Sequence, residues 1–302
     1  MNTDPHIFSG ILKETSILAH EPMSRHTTYR IGGPCDVMLI PENTEQILML
    51  IDICNKKGIP FYVIGNGSNL LVRDGGIRGA VIKISNKMSA VTVDGCTIKA
   101  QAGALLGTIV RKAYENSLSG LEFAAGIPGS FGGAVTMNAG AYGSDMKHIV
   151  KSVFVCDRNG YCFNIEGDEL MFGYRQSVVR QKNLIVLSGE IELQKGKKIE
   201  IKEKMDTLTA KRKAMQPLSM PSCGSVFKRP EGHFIGKLIE DAGLKGTSVG
   251  DAEVSQLHAN FIVNKGNATA RDVLELIEVI KAKVKNTFGI DIETEVIAVG
   301  ED

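Results

Sequence analysis

Residues 221–230 read PSCGSVFKRP, where Cys223 and Ser225 flank Gly224, and Lys228 and Arg229 follow. A thiolate is a nucleophile and a serine hydroxyl becomes one beside a base. In a Pro/Gly turn, however, a serine ordinarily bonds its own backbone. The stretch alone leaves open which group does chemistry. A second stretch, VIGNGSNLLV at 63–72, leads an apolar segment into a Gly-x-Gly turn carrying Asn66, Ser68 and Asn69. Such a turn exposes several backbone N–H groups, which with short polar side chains bind an anion such as a diphosphate. It lacks the third glycine of a Rossmann fingerprint and the Gly-Lys-Ser/Thr of an ATP-binding loop. A third, GIPGSFGGAVTMNAGAYG at 126–143, places Gly126, Gly129, Gly132, Gly133, Gly140 and Gly143 among small alanines. A backbone so stripped of side chains can approach a flat or charged ligand closely. Two such loops together point to a large cofactor, and a dinucleotide suits both.

Other chemistries fare worse. Ser68, Ser130 and Ser225 all lie outside a G-x-S-x-G elbow, and His258 reads as a packed or surface histidine rather than a base. Cysteines at 35, 54, 96, 156, 162 and 223 form no C-x-x-C, so no zinc site or disulfide framework is expected. Most of them read as small buried hydrophobes. Lys+Arg number 35 against Asp+Glu 34, a net charge of +1, which gives no global footprint for nucleic acid or an anionic membrane. No apolar run approaches bilayer length and MNTDPHIFSG lacks a signal-peptide pattern, so a cytoplasmic location is expected.

The elements that must hold these loops follow from periodicity. Residues 43–58 read as a helix with Ile47, Leu48, Ile51 and Cys54 on one face and Gly58 at its end. A strand FYVI begins at Phe61, and VIKI, AVTV and TIKAQA follow as strands between 80 and 102. Residues 105–117 are helical in period; 149–156, 161–165 and 184–187 are strand-like. The charged stretch 197–216 reads as a connecting helix. Two further helices are expected at 234–242 and from Asp272 to about residue 287, the latter opened by a Thr269/Asp272 capping box. DIETEVIAV, 291–299, reads as a strand with Ile292, Thr294 and Val296 on one face and Glu293, Glu295 and Ile297 on the other. Glycine totals 33, and 16 of these lie between 58 and 143, the main composition shift in the chain.

The ordered set YRIGGPCD, VIGNGSNLLV, GIPGSFGGAVTMNAGAYG, GYR, PSCGSVFK, GKLIEDAGLKG, HANFIVN and ETEV resembles the UDP-N-acetylenolpyruvoylglucosamine reductase (MurB) family over nearly the whole chain. The resemblance implies an α+β fold: a two-part FAD-binding domain of the vanillyl-alcohol-oxidase-like (PCMH) type, 27–196, split at about 86/87. A short N-terminal segment, 1–26, precedes it and a smaller α/β substrate domain, 197–302, follows. It implies non-covalent FAD held by Tyr62, Gly65, Asn66, Gly67, Ser68, Asn69, Leu70, Gly126, Ile127, Pro128, Gly129, Gly132, Gly133, Asn138, Gly140 and Ala141. NADPH is the implied reductant and a UDP-sugar enolpyruvyl ether the implied substrate, with no metal, in a monomer or weak oligomer.

By the same resemblance Ser225 is the proton donor to the substrate's C2, while Arg175 and Glu295 act on its carboxylate. Cys223 then becomes a supporting residue. Tyr174, Arg212, Lys213, Lys228 and Arg229 are candidates for the UDP-sugar, Lys211 standing beside the central pair. Arg229 stands where the family frequently has Asn. Only 49 residues separate Arg175 from Ser225, which matches the shorter form of the family, without an extra tyrosine loop. Two other readings use the same motifs: a flavin oxidase of a sugar or alcohol, and a nucleotide-sugar binding protein without redox activity.

Overall fold

A computed structural model describes residues 3–302. The chain forms two compact units, each assembled from non-contiguous stretches. The first holds residues up to Ala19, Val37–Asn66 and Gly79–Arg212; the second holds His20–Asp36, Gly67–Arg78 and Lys213–Asp302. Segments 20–36 and 67–78 therefore belong with the C-terminal residues, a return that no composition shift announces.

In the first unit the helix Thr44–Lys57 begins where the Asn43 side chain accepts the Gln46 N–H, and ends at Gly58 with φ 64°, a left-handed turn that favours glycine. Its buried residues are Ile47, Leu50, Ile51 and Cys54. Leu50 takes the place expected for Leu48, because the steps i, i+3, i+4, i+7 keep a helical stripe in line, and Leu48 packs only partly buried at the edge. The strand Phe61–Ile64 pairs in parallel with the end of Ile77–Lys83, from Phe61 opposite Ala80 to Ile64 opposite Lys83. Both belong to a four-stranded sheet in the order Ile17–Ala19, Cys35–Leu39, Ile77–Lys83, Phe61–Ile64.

A five-stranded antiparallel sheet completes this unit, in the order Cys162–Glu166, Val150–Cys156, Ile185–Glu192, Thr97–Gln101, Val91–Asp94. The helix Leu106–Glu115 buries Leu106, Ile109, Val110 and Ala113, and the short helix Phe131–Thr136 follows the second glycine loop. Phe131 lies against the sheet at Gly189, where an added Cβ would stand 3.0 Å from two ring atoms. Close approach of the ring thus requires that glycine. The charged helix Lys198–Met215 buries only Ile201.

The second unit packs the helices Ile235–Asp241 and Ala270–Phe288 with a three-stranded sheet of Ser248–Val249, Ala252–Val254 and Ile262–Asn264. The long helix opens with the expected capping box: Thr269 accepts from Asp272 N–H and Asp272 accepts from Thr269 N–H. Asp74 caps it as well, its two oxygens accepting from the Ala270 and Arg271 N–H groups at 2.8 and 3.0 Å. Val273, Leu276, Ile277, Ile280 and Val284 face the unit's core with Tyr29, Leu71, Val226 and Phe227. The expected strand 291–299 is corrected to Ile297–Val299, which pairs in parallel with Leu70–Val72. Upstream only Thr294 bridges, to Phe227, so 291–296 alternate in burial without laddering. Alternation reports which side is covered, whereas a ladder needs a partner at every second residue.

Candidate active site

Strand Phe61–Ile64 delivers the first glycine turn. Asn66 Nδ2 donates to the Pro128 carbonyl at 2.5 Å, tying this turn to the second glycine loop. At Gly65 an added Cβ would fall 2.3 Å from Ser130 Oγ, so the two loops meet where only glycine fits. Ser130 is 3% exposed and its Oγ has no hydrogen-bond partner. Gly129 and Phe131, on either side of it, are anchored: Leu106 N–H donates to the Gly129 carbonyl and Phe131 N–H to that of Ala104. Gly132 is pinned likewise by its N–H to Ala102, whereas Gly133 is exposed. Of the remaining loop residues, Ile127 is half-buried and Pro128 exposed. Tyr62 is half-buried, and burial raises its hydroxyl pKa against the opposing pull of Arg158 and Arg180.

Gly126, with φ 85°, lies beside the stem of Arg212; a Cβ there would stand 3.2 Å from its Cδ. The Arg212 Nε is buried without a partner, and burial lowers the guanidinium pKa. Asn138 sits buried at φ 42°, its amide donating to Asp145 Oδ2 and the Gly173 carbonyl and accepting from Lys147 N–H. That side chain is thus occupied in shaping the turn at Gly140–Ala141, which pairs with Ser144–Asp145. Cβ-free backbone, an unpartnered buried hydroxyl and an unpartnered buried guanidinium nitrogen suit a ligand that carries phosphates and ring acceptors. The residues present fit a flavin dinucleotide.

The second unit holds the other half of the motif. Gly67, at φ 63°, packs so closely on His26 that a Cβ would stand 2.1 Å from the His26 carbonyl oxygen. Ser68 is half-buried, Asn69 Nδ2 donates to the Glu295 carbonyl at 3.2 Å, and Leu70 pairs with Ile297. Glu295 N–H in turn donates to the Val226 carbonyl at 2.7 Å. The structure therefore brings the backbone of Ser225–Val226 beside that of Glu295. Phe227 is fixed by Asn260, whose side chain accepts its N–H and donates to its carbonyl, at 3.0 and 2.9 Å. Gly224 has φ 81° and open space where a Cβ would point, so the turn before Ser225 owes its shape to glycine while keeping one side clear.

Cys223 is 2% exposed and its thiol is pushed up to about 12, chiefly by burial. At neutral pH it is a core thiol beside Tyr29, as the sequence reading has it. His258 is packed edge-on against Phe261, takes the Asn260 N–H on Nδ1, and has its pKa lowered by burial.

Arg175 belongs to the first unit. It sits at φ 56°, its carbonyl accepts from Arg180 Nη1, and its guanidinium lies 5.1 Å from the Tyr174 ring centroid. A non-glycine residue held at positive φ is a local cost that folds keep where a side chain must be aimed. In the second unit Lys228 pairs with Glu293 at 2.7 Å, Arg229 lies 4.9 Å over the Phe234 ring, and Lys213 is exposed. Ser130 is the candidate that sequence reading passed over. Its only signal was its place inside GIPGSFGG, since burial without a partner is a property of the folded chain.

The two glycine turns and the mixed sheets that carry them define an FAD-binding flavoprotein of the PCMH-type fold. The family described as FAD binding domain matches residues 35–166, and the C-terminal domain of UDP-N-acetylenolpyruvoylglucosamine reductase matches 216–299. The reductase of Clostridium perfringens (strain SM101) is 49% identical over 289 residues, covering 96% of this chain and 95% of that protein. The reductase of Clostridium botulinum (strain Eklund 17B) is 49% identical over 296 residues, with 98% and 97% covered. The crystal structure of the same reductase from Thermus caldophilus superposes with a TM-score of 0.80 at 36% identity, covering 93% of this chain and 97% of that one. A Phl p 4 variant described as a glucose oxidase shares the fold alone, with a TM-score of 0.51 at 18% identity over 65% of this chain and 45% of that one. The chain belongs to the UDP-N-acetylenolpyruvoylglucosamine reductase family and is an oxidoreductase.

Proposed function

We propose that the chain reduces UDP-N-acetylglucosamine enolpyruvate to UDP-N-acetylmuramate in cytoplasmic peptidoglycan synthesis, with NADPH as reductant and FAD bound non-covalently, as a monomer or weak oligomer. The observation that carries the cofactor reading is Ser130 Oγ, buried and unpartnered where the two glycine turns meet. Family membership carries the substrate. In functional terms the reading assigns 27–196 to the cofactor and 197–302 to the substrate.

FAD, held by the residues named above, would supply hydride transfer between NADPH and C3 of the enolpyruvyl group. The chain must deal with what that leaves behind. Addition at C3 puts carbanion character on C2, delocalised into the adjacent carboxylate, so positive or hydrogen-bonding groups and a proton are needed there. Ser225 Oγ gives its proton to C2. Arg175 binds the carboxylate, and its positive charge stabilises the negative charge that grows there. Glu295 orients the enolate, its backbone fixed by the bonds to Val226 and Asn69. Gly65, Asn66, Ser130 and the 126–133 loop hold the cofactor with Tyr62; Arg212, expected from the sequence to bind the UDP-sugar, lies beside Gly126 and is reassigned in this proposal to a cofactor phosphate. Tyr174, Lys213, Lys228 and Arg229 hold the UDP-sugar.

The test separates the two half-reactions. Mixing NADPH with the yellow protein in a stopped-flow instrument should bleach the flavin absorbance, and adding the enolpyruvyl ether should restore it without oxygen. Reoxidation by oxygen but not by that ether, with turnover of a sugar or alcohol, would favour the oxidase reading. A purified protein that releases no flavin on denaturation would favour the binding-protein reading.

A further inference from the structure

Cys156 and Cys162 stand directly opposite one another across the hairpin of Val150–Cys156 and Cys162–Glu166. The turn between them is firmly held. Asp157 N–H donates to the Tyr161 carbonyl, and Asp157 Oδ1 accepts from the Asn159 and Tyr161 N–H groups at 2.8 and 2.9 Å. Because the 157/161 pair carries the ladder bond, 156/162 is the neighbouring pair without one. Opposed Cα atoms in such pairs lie about 4.5 Å apart and their side chains come closest. That separation falls within the ~4.4–6.8 Å that a disulfide spans. The two residues differ in access: Cys156 is fully buried, while Cys162 is half-buried on the edge strand, its Sγ 3.7 Å from the Gly160 carbonyl oxygen. All six cysteines are free thiols in this structure.

We propose that Cys156 and Cys162 form a reversible dithiol–disulfide site, oxidised by a small organic disulfide. Cys162, the accessible sulfur, loses its proton and attacks one sulfur of the reagent, breaking the S–S bond and expelling one thiolate. Cys156 then loses its proton and attacks Cys162 Sγ, expelling the second thiolate. The protein dithiol is oxidised by two electrons, the reagent is reduced to two thiols, and the two protons pass to those thiols. Burial raises both thiols, and Cys156 the further, to about 12, which with its lack of access fits it as the resolving rather than the attacking group.

The link would lock a hairpin that clasps its neighbours. Arg158, in the turn, lies 3.7 Å over the Phe61 ring and donates to the Phe61 carbonyl, while its own carbonyl accepts from Asn55 Nδ2. Phe61–Ile64 is the strand that ends at Gly65, so the site borders the cofactor half without touching its glycine turns.

The experiment uses the full-length flavin-loaded protein, incubated with oxidised glutathione, then alkylated under denaturing conditions and cut with trypsin. Cleavage after Arg158 separates the two cysteines. The expected product is peptide 152–158 joined to peptide 159–175, lighter by two hydrogens than the two free peptides together and released by dithiothreitol. Cys156→Ser and Cys162→Ser, each retaining the bound-flavin spectrum, should lack it. Recovery of Cys162 only as its glutathione adduct, full alkylation of both thiols, or a link formed only after unfolding in guanidinium would each overturn the proposal.

Discussion

A serine hydroxyl is a poor acid in water, so the proposed donor Ser225 would give up its proton only in the step where C2 becomes strongly basic, with Arg175 and Glu295 engaging the carboxylate as proposed. Its removal therefore acts on one half-reaction. Ser225→Ala should leave flavin reduction by NADPH within about twofold and slow reoxidation by the enolpyruvyl ether by orders of magnitude, as stopped-flow absorbance would read. If both rates fall together, the proton-donor role is wrong. Two residues away, Cys223 predicts the reverse. Its thiol is buried, neutral at working pH and packed among Tyr29, Val226 and Phe227. Cys223→Ala removes one buried sulfur, a cost of about 1 kcal/mol in unfolding free energy, and should leave turnover within a few-fold. A folded, flavin-loaded variant without activity would restore Cys223 as a chemical group. Gly224 explains why such neighbours diverge: at φ 81° it reverses the chain between a core position and an accessible one.

Elements with their own local code were legible in the sequence. Asn43 and Gly58 bracket one helix and Thr269 with Asp272 opens another, because capping is settled within four residues by orphan N–H groups and a left-handed glycine. What the sequence could not reveal was partnership at long range. Asp74, almost two hundred residues before the helix it caps, closes two orphan donors at Ala270 and Arg271, and the carboxylate also suits the positive end of the helix dipole. Likewise 291–296 alternates without becoming a strand, since register depends on a neighbour that no local pattern encodes. The two caps should weigh similarly. Thr269→Ala and Asp74→Ala should each cost about 1 kcal/mol, and their effects should add only partly because both act on one helix end. Urea unfolding of the two variants and of their double mutant measures this. A neutral Asp74→Ala would reduce its carboxylate to a surface contact.

At the scale of the whole molecule, the proposed cofactor role sets folding against function at Ser130, whose buried hydroxyl has no partner within the protein. A hydroxyl buried without a partner costs about 1–3 kcal/mol, whereas the same hydroxyl donating to a phosphate or ring acceptor contributes a comparable amount to binding. Ser130→Ala should therefore raise the unfolding midpoint of the flavin-free protein while weakening FAD about tenfold or more. A purely structural serine would move both in the same direction. Binding also reports itself through linkage: a ligand that binds only the folded state adds about 2.7 kcal/mol at one hundred times its Kd, and about 1.4 kcal/mol per further decade. Thermal unfolding followed across a series of free FAD concentrations should give one curve per protein against log concentration, the two running parallel only where FAD exceeds both Kd values. The Ser130→Ala line should start higher without flavin and cross below the parent line once FAD is abundant. Crossing requires the hydroxyl to be a liability in the empty fold and an asset in the loaded one. If the gap between the two proteins is the same at every FAD concentration, Ser130 does not touch the cofactor, and the meeting of the two glycine turns at Gly65 is a matter of packing alone.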